Sequence, residues 1–326
     1  MAHMTTPKYR AKLPLLDGRL FLTDGGLETT LIFHECWELP VGEAFVLLET
    51  ERGVAALRAY FDRYVPMARS IGAGFLLESP TWRANPDWAE KIGIGRDRLA
   101  ALNRRAIALM AEIREAHERP GFPMVISGCI GPRGDGYDPG QVMSVPEAED
   151  YHGFQARLFR DAGADLVSAI TMTNVNEAIG VARAAQAAGM PSVISFTLET
   201  DGRLPTGMPL KDAIMATDAA TSEGPAYYMI NCAHPTHFDH VLEAGAAWVM
   251  RLRGLRANSS RRSHQELDNS PELDIGNPAE LGQQYAELRA RFPHINVLGG
   301  CCGTDHRHVG AIAAACGHAV PKRMTA

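Results

Sequence analysis

Short apolar runs alternate with longer amphipathic stretches along most of the chain. The apolar runs predict strands at Leu20–Thr23, Phe75–Glu78, Met124–Gly128, Leu166–Ile170, Ser192–Leu198, Ala226–Cys232, Trp248–Leu252 and Ile295–Gly300. The stretches between them have apolar residues at helical spacing and predict helices at Val54–Ser70, Arg98–Arg119, Glu147–Ala162, Glu177–Ala188, Leu210–Ala220, Pro278–Arg291 and His306–Ala315. Eight strand signals, each followed by a helical pattern, favour an α/β fold of the (β/α)8 type, a TIM barrel, over a doubly wound sheet.

The pattern predicts one domain, because no linker or low-complexity segment divides the chain. Residues 1–12 form a predicted N-terminal tail that includes a cloning remnant at Met1–Met4, and residues 13–326 form the barrel. No Gly-x-Gly-x-x-Gly motif opens a helix after a strand, which counts against a dinucleotide-binding fold.

Composition narrows the class of protein. The 326 residues are 46% hydrophobic and 21% charged, which is typical of a globular protein with ample core. A net charge of −6 gives no basic field for nucleic acid or anionic lipid, and no apolar run approaches the roughly 20 residues that span a bilayer. The N-terminus has no apolar signal-peptide core, and the six cysteines do not form a secreted disulfide pattern. We therefore expect a cytoplasmic protein with no nucleic-acid or membrane partner, and the sequence leaves a homo-oligomer open.

Two adjacent cysteines follow the last strand signal, in the segment Gly299-Gly300-Cys301-Cys302-Gly303. Adjacent side chains of a regular strand point to opposite faces, but glycine tolerates backbone angles that let a strand end curl. Both sulfurs can then converge. Converging thiols suggest either a vicinal disulfide, which is strained and rare, or a soft metal such as zinc.

Cys232 is the candidate third ligand, because it also ends an apolar run. The active sites of such barrels lie at the C-terminal ends of the strands, and Asp24 and Glu78 fall at the same face. Three cysteines there leave one position open, which is typical of catalytic rather than structural zinc. No paired Cys-x-x-Cys motif of a structural site occurs.

These motifs resemble the homocysteine S-methyltransferase family over nearly the whole chain. The similar segments are Asp24-Gly25-Gly26, 78–85, 127–132, Asn231-Cys232 and 299–304, of which the last is the specific one. The resemblance implies a Zn²⁺ ion held by Cys232, Cys301 and Cys302. It gives no metal role to Cys36, Cys129 and Cys316, or to His234, His237, His306 and His308, which we expect to be structural, capping or surface residues.

The family chemistry explains the need for zinc. A free thiol has a pKa near 8.5 and is mostly protonated at neutral pH, whereas a coordinated thiol is deprotonated. The resulting thiolate can attack a methyl group in one in-line displacement, and the leaving group departs neutral without a general acid. The resemblance implies methyl transfer from a sulfonium donor, S-methylmethionine or S-adenosylmethionine, to the zinc-bound thiolate of homocysteine, giving methionine. The implied partners are a small-molecule thiol and a methyl donor.

The candidate substrate contacts are Asp24, Gly25, Glu78, Thr171 and Asn231. The resemblance places Asp24 at the amino-acid end of homocysteine, although it can also be a turn residue that bonds backbone amides. Glu78 either contacts substrate or pairs with Arg83. Asn231 either contacts substrate or orients a zinc ligand.

One position departs from the family pattern. Family members carry a glutamate at the end of strand four that holds the substrate amino group, but Ile170 stands there in this chain. Either Asp24, Glu78 or Asn174 replaces that glutamate, or the acceptor is a different thiol. A barrel subunit of a corrinoid-linked methyl-transfer system and a non-catalytic zinc carrier are further alternatives.

The segment Arg253–Pro278 is predicted as a long polar connection between strand seven and its helix, and it carries Arg256, Arg261 and Arg262. Long loops in compact domains are usually functional or disordered. The segment is therefore either a lid that contacts substrate or a plain surface loop.

Overall fold

Eight parallel strands close into a barrel in the computed structural model, which describes residues 6–268, 270 and 272–317. The strands are β1 Phe21–Leu22, β2 Gly74–Glu78, β3 Met124–Ile130, β4 Leu166–Met172, β5 Ser192–Thr197, β6 Pro225–Asn231, β7 Leu252–Ala257 and β8 Val297–Gly300. Each strand pairs with the next along the chain, and β8 pairs with β1 through Phe21 opposite Val297. The predicted TIM barrel is confirmed. The predicted cloning remnant at Met1–Met4 lies outside the described residues, as does the segment 318–326.

Helices connect the strands. They are α1 Leu27–Thr29, α2 Glu51–Ser70, α3 Pro86–Lys91, α4 Arg96–His117, α5 Val145–Ala162, α6 Val175–Ala187, α7 Leu210–Thr221, α8 Pro235–Phe238, α9 His264–Asp268, α10 Pro278–Arg291 and α11 His306–Gly317. Shorter 3-10 or π-helical turns cover Pro14–Asp17, Thr30–His34, Pro40–Gly42, Ala44–Glu49, Asp239–Val241 and Ala247–Arg251. The seven predicted helices are all present, with ends within a few residues of the prediction. No helix in the described ranges has both the length and the apolar character needed to cross a membrane.

Local sequence signals fix the ends of these helices, as α5 illustrates. The Ser144 side chain and the Glu147 carboxylate form a capping box at its first turn. These contacts satisfy amide groups that have no partner inside the helix. Gly163 ends the helix in the left-handed conformation, with φ of 91°, where glycine carries no steric cost.

The predicted seventh strand is wrong. Residues Ala247–Arg251 form a 3-10 turn with Trp248 buried, and the strand begins at Leu252 instead. The apolar run therefore forms the turn before the strand. The strand β7 itself contains Arg253 and Arg256, whereas buried parallel strands usually consist of apolar residues.

The N-terminal end of the barrel is closed by apolar side chains. The cluster contains Leu13, Leu15, Phe21, Leu76, Val125, Leu166, Val193, Tyr227, Met229 and Val297, all buried. The segment before β1 takes part, because the Asn296 amide donates hydrogen bonds to the carbonyls of Leu15 and Arg19 at 2.7 and 2.6 Å. With this end filled, the open space of the barrel lies at the C-terminal ends of the strands.

Close approach of α5 to the barrel requires Gly128 in β3. A Cβ atom at Gly128 would lie 2.3 Å from the Phe159 ring, so we expect Gly128→Ala to lower the free energy of unfolding by about 1–3 kcal/mol through overpacking. Urea denaturation measures the change. The control is Gly134→Ala, where a Cβ meets no atom within 4 Å and the change should be about 0.5 kcal/mol or less. Equal losses in the two variants would contradict this packing.

Candidate active site

Three cysteine thiols meet at the C-terminal end of the barrel. Cys232 directly follows β6, and Cys301 and Cys302 directly follow β8. Their sulfur atoms all lie within 4.8 Å of one another, with Cys232 and Cys301 in disulfide contact and Cys232 and Cys302 3.7 Å apart. Across the described residues this thiol cluster is the one group of three or more side chains placed to hold a metal ion.

The backbone around the thiol cluster is tightly constrained. Cys232 has a backbone φ of 51°, a value that residues other than glycine rarely adopt. Backbone strain of this kind concentrates at functional sites. Gly299 and Gly300 lie within β8, where close packing requires glycine, since a Cβ atom would lie 1.9 Å from the Thr23 hydroxyl at Gly299 and 2.1 Å from the Thr304 hydroxyl at Gly300. Of the three glycines expected to let the strand end curl, Gly303 is the one with a positive φ, 76°.

The thiol set fits a zinc-type metal. A tetrahedral zinc ion with Zn–S distances of about 2.3 Å separates its sulfur ligands by about 3.8 Å, close to the 3.7 Å between Cys232 and Cys302. Cys232 and Cys301 are closer than that, so metal binding requires this pair in its reduced form. Soft thiolate ligands select metals such as zinc over magnesium or calcium.

Three polar side chains contact the sulfurs of the thiol cluster. The Asn231 amide lies 3.7 Å from the Cys301 sulfur, the Thr171 hydroxyl lies 3.9 Å from the Cys232 sulfur, and the Tyr137 hydroxyl lies 3.0 Å from the Cys302 sulfur. Tyr137 is in the loop after β3, and its ring packs against the His264 ring with the two ring centroids 4.1 Å apart. The sequence carries no motif that points to Tyr137.

Asn231 is buried and its side chain holds the end of β4. Its oxygen accepts hydrogen bonds from the Thr171 amide at 2.9 Å and the Ser195 hydroxyl at 2.6 Å, and its nitrogen donates to the Thr171 hydroxyl at 2.8 Å. These contacts stabilise Thr171 at a φ of 66°. A cavity beside the thiol cluster is lined by Thr171 but not by Asn231. The contacts of Asn231 therefore match the predicted role of orienting a cysteine ligand rather than that of contacting substrate.

A cavity at the C-terminal ends of the strands adjoins the thiol cluster, and a concave site with a few converging polar groups is typical of small-molecule binding. Its lining is Asp24, Gly25, Gly26, Leu27, Glu28, Thr29, Glu78, Ser79, Pro80, Trp82, Cys129, Tyr137, Ile170, Thr171, Cys232, Arg256, Cys301 and Cys302. Four of the five predicted substrate contacts are therefore at the cavity. Arg256, which the sequence analysis named only as part of the candidate lid segment, also lines the cavity, as does Glu28, which the sequence analysis did not identify.

Asp24 forms a buried ion pair with Arg256. The guanidinium donates to one carboxylate oxygen at 2.7 Å and to the Gly300 carbonyl at 3.1 Å, and the Tyr60 hydroxyl donates to the other carboxylate oxygen at 3.0 Å. Burial raises the pKa of Asp24, and the Arg256 charge opposes that shift. Asp24 is thus not a turn residue that bonds neighbouring amides, since both oxygens have partners from other elements.

Glu78 is buried at the end of β2. One of its oxygens accepts a hydrogen bond from the Ser168 hydroxyl at 3.0 Å, and the other has no hydrogen-bond partner among the described residues. The alternative ion pair with Arg83 is wrong, because Arg83 pairs with Glu43 at 3.4 Å and with Asp135 at 3.5 Å. Burial raises the pKa of Glu78, and the Arg256 charge opposes this.

The remaining cysteines and histidines lie outside the thiol cluster, as predicted. Cys36 is exposed and Cys316 is buried in α11. Cys129 is inside β3 rather than after it and lines the cavity, where burial raises the pKa of its thiol. His234 caps α8 by accepting from the Thr236 amide at 3.3 Å.

The connection after β7 supports the backbone of the thiol cluster. Arg256 belongs to β7, so the connection itself spans residues 258–277. The Ser259 amide donates to the Cys302 carbonyl at 3.1 Å, and the buried His264 ring contacts the Cys232 carbonyl at 2.6 Å. None of its described residues lines the cavity. Among the described residues of the predicted segment Arg253–Pro278, the one that lines the cavity is thus Arg256 of β7, and the described part of the connection supports the thiol cluster from behind.

Comparisons with known proteins agree with this arrangement. A family model described as homocysteine S-methyltransferase matches residues 21–316. A homocysteine S-methyltransferase of Escherichia coli (strain K12) is 27% identical over 318 residues, which cover 92% of this chain and 96% of that protein.

Two crystal structures of the E. coli homocysteine methyltransferase MmuM are similar in fold. The oxidised form has a TM-score of 0.73 at 23% identity and covers 91% of this chain and 96% of its own. The metallated form has a TM-score of 0.69 at 23% identity and covers 93% of this chain and 98% of its own.

The Asp24–Arg256 pair yields a stability prediction. We expect Arg256→Met to lower the free energy of unfolding by about 3–5 kcal/mol, because the buried Asp24 carboxylate loses its partner charge. The double variant with Asp24→Asn should lose less than the sum of the single losses. Urea denaturation of reduced protein measures both.

The exposed pair of Arg98 with Glu49 provides the control, since surface ion pairs contribute about 0–1 kcal/mol. If Arg256→Met lowered the free energy of unfolding by no more than Arg98→Met does, the result would contradict a stabilising role of the buried pair.

Proposed function

Because the chain belongs to the homocysteine S-methyltransferase family, whose members are methyltransferases, we propose that it methylates the thiol of homocysteine to give methionine, with zinc as cofactor and a sulfonium methyl donor. The observation that carries the proposal is the thiol cluster beside a cavity that carboxyl groups and apolar side chains line. A site built from hard oxygen ligands would select magnesium or calcium rather than a metal that binds a substrate thiolate.

Cys232, Cys301 and Cys302 are the residues proposed to hold zinc. Zinc bound there supplies the positive charge that keeps a fourth, incoming thiol deprotonated at neutral pH. The side chains of Asn231 and Tyr137 hold two of the cysteine sulfurs in place by hydrogen bonding. Hydrogen bonds to metal-ligating side chains typically fix the orientation of those ligands and tune the properties of the bound metal.

The transfer itself needs little from the protein beyond position and charge. A carbon–sulfur bond forms between the acceptor thiolate and the methyl group as the donor's own carbon–sulfur bond breaks. The donor leaves as a neutral thioether, so no residue has to protonate it. The titratable groups among the described lining residues of the cavity are carboxyl groups, thiols, the phenol of Tyr137 and the guanidinium of Arg256, and no histidine is among them.

The charge of the cavity favours cationic ligands. Asp24, Glu28 and Glu78 line it, and Arg256 is the only cationic side chain among its lining residues. Arg256 is paired with Asp24, so the other two carboxyl groups can pair with a cationic ligand. Burial raises the pKa of both Glu28 and Glu78, and a sulfonium donor or an acceptor with an ammonium group would favour their ionised forms.

A second candidate is the same chemistry on a different thiol. Ile170 lines the cavity, and an apolar side chain there accommodates an acceptor without an amino group at that point. The comparison of acceptor thiols described below separates the two candidates.

The test joins metal content to turnover. Reduced, zinc-loaded protein should produce methionine from homocysteine with one of three donors, S-methylmethionine, S-adenosylmethionine or betaine, as read by mass spectrometry. Cys301→Ser and Cys302→Ser should lose both zinc and activity while keeping the circular dichroism spectrum of the barrel, because each removes a proposed ligand.

Cys129→Ser is the matched control, since Cys129 lines the same cavity but lies outside the thiol cluster, and it should retain zinc. Stoichiometric zinc in Cys301→Ser or Cys302→Ser would contradict the ligand assignment. The absence of methionine from zinc-replete wild-type protein with all three donors would contradict the proposed reaction.

A further inference from the structure

The carboxylate of Glu78 is the buried charge in the cavity that the protein leaves half satisfied. Glu78 is 5% exposed, and its second oxygen has no hydrogen-bond partner among the described residues. A buried ionised group is costly unless it is paired, so such an oxygen at a cavity wall suggests a partner that arrives with the ligand.

The surroundings of Glu78 fix where that partner sits. Ser168 of β4 donates to the first oxygen, and the Ser168 hydroxyl is also 2.7 Å from that of Ser127. These contacts hold the carboxylate in one orientation. Two residues further along β4, on the same face of the strand, Ile170 lines the cavity and offers no charge.

The other charged groups of the cavity are less suited to a ligand. The Arg256 guanidinium is engaged by Asp24, Gly300 and Gly25, at 2.7, 3.1 and 3.4 Å. Asp24 has both oxygens occupied, by Arg256 and Tyr60. Glu28 is only half-buried, whereas Glu78 is 5% exposed, although burial raises the pKa of both carboxyl groups.

Resting on the proposed function, we propose that Glu78 binds the α-ammonium group of the acceptor amino acid and thereby selects an amino-acid thiol over a thiol that lacks the amino group. A hydrogen bond between an ammonium and a carboxylate is among the strong ones, and it gains strength where water is excluded. A ligand without the amino group leaves Glu78 buried and unpaired, which is how polar sites reject such analogues. Because burial raises the pKa of Glu78, an arriving cation also restores its ionised form.

The experiment compares homocysteine with 4-mercaptobutanoate, which differs only in lacking the amino group. Isothermal titration calorimetry on reduced, zinc-loaded wild-type protein should show a preference for homocysteine of about tenfold to hundredfold in Kd. Glu78→Gln keeps the shape but not the charge, and it should weaken homocysteine binding by that factor while leaving 4-mercaptobutanoate unchanged. Glu112→Gln, the control at a partly exposed carboxylate of α4 that does not line the cavity, should keep the preference.

The outcomes separate this inference from the proposed reaction. Equal binding of the two thiols by wild-type protein overturns the role of Glu78 and leaves thiol methylation standing, and it needs no variant. An equal loss for both thiols in Glu78→Gln, no loss for either, or loss of the preference in Glu112→Gln also overturns it. If Glu78→Gln does not fold, Glu78→Asp keeps the charge and should retain part of the preference, so its complete loss would count against the proposal. Wild-type protein that binds neither thiol contradicts the inference and the proposed function together.

Discussion

The buried ion pair between Asp24 and Arg256 is the interaction on which the arrangement of the site depends. It joins the end of β1 to β7, and the same guanidinium binds the carbonyl of Gly300, the residue before Cys301. Charges taken out of water have to be paired and fully hydrogen-bonded, so this contact permits little displacement of the three strand ends. The position of Cys301 therefore follows from a charge pair rather than from the cysteine itself.

The other cysteines are held by equally specific contacts. Cys232 and Thr171 both have positive φ values, and Asn231 bridges the strand ends that carry them. The connection after β7 fixes the carbonyls of Cys232 and Cys302 from outside. Cysteine side chains that are already held in position lose little conformational freedom when a metal binds to them. A preorganised metal site requires this.

Much of this arrangement could be predicted from local sequence, because local patterns determine it. Apolar runs and glycine caps marked all but one strand, and the double cysteine in its glycine frame marked the thiol cluster. The seventh strand was misplaced because Arg256 is a charged residue inside a buried strand, and its partner Asp24 lies 232 positions away. Contacts of that separation are set by the closure of the barrel, and no local pattern reports them. The position of Tyr137 opposite Cys302 was missed for the same reason.

One of the two alternatives for Glu78, the ion pair with Arg83, is wrong on similar grounds. Arg83 is five positions away in the sequence, yet it extends toward Glu43 and Asp135, while Glu78 points into the barrel toward Ser168. The direction of a side chain at a strand end depends on the register of neighbouring strands. The departure at Ile170 was visible from the sequence, but the orphaned oxygen of Glu78 was not.

The central claim is that three cysteine sulfurs hold zinc and leave one position for the acceptor thiol. X-ray absorption at the zinc edge of reduced, zinc-loaded protein tests it most directly. The account predicts three sulfur ligands at about 2.3 Å and one lighter ligand without substrate, and four sulfur ligands once homocysteine is added. Four protein sulfur ligands in the absence of substrate, or an unchanged spectrum after homocysteine is added, would contradict it.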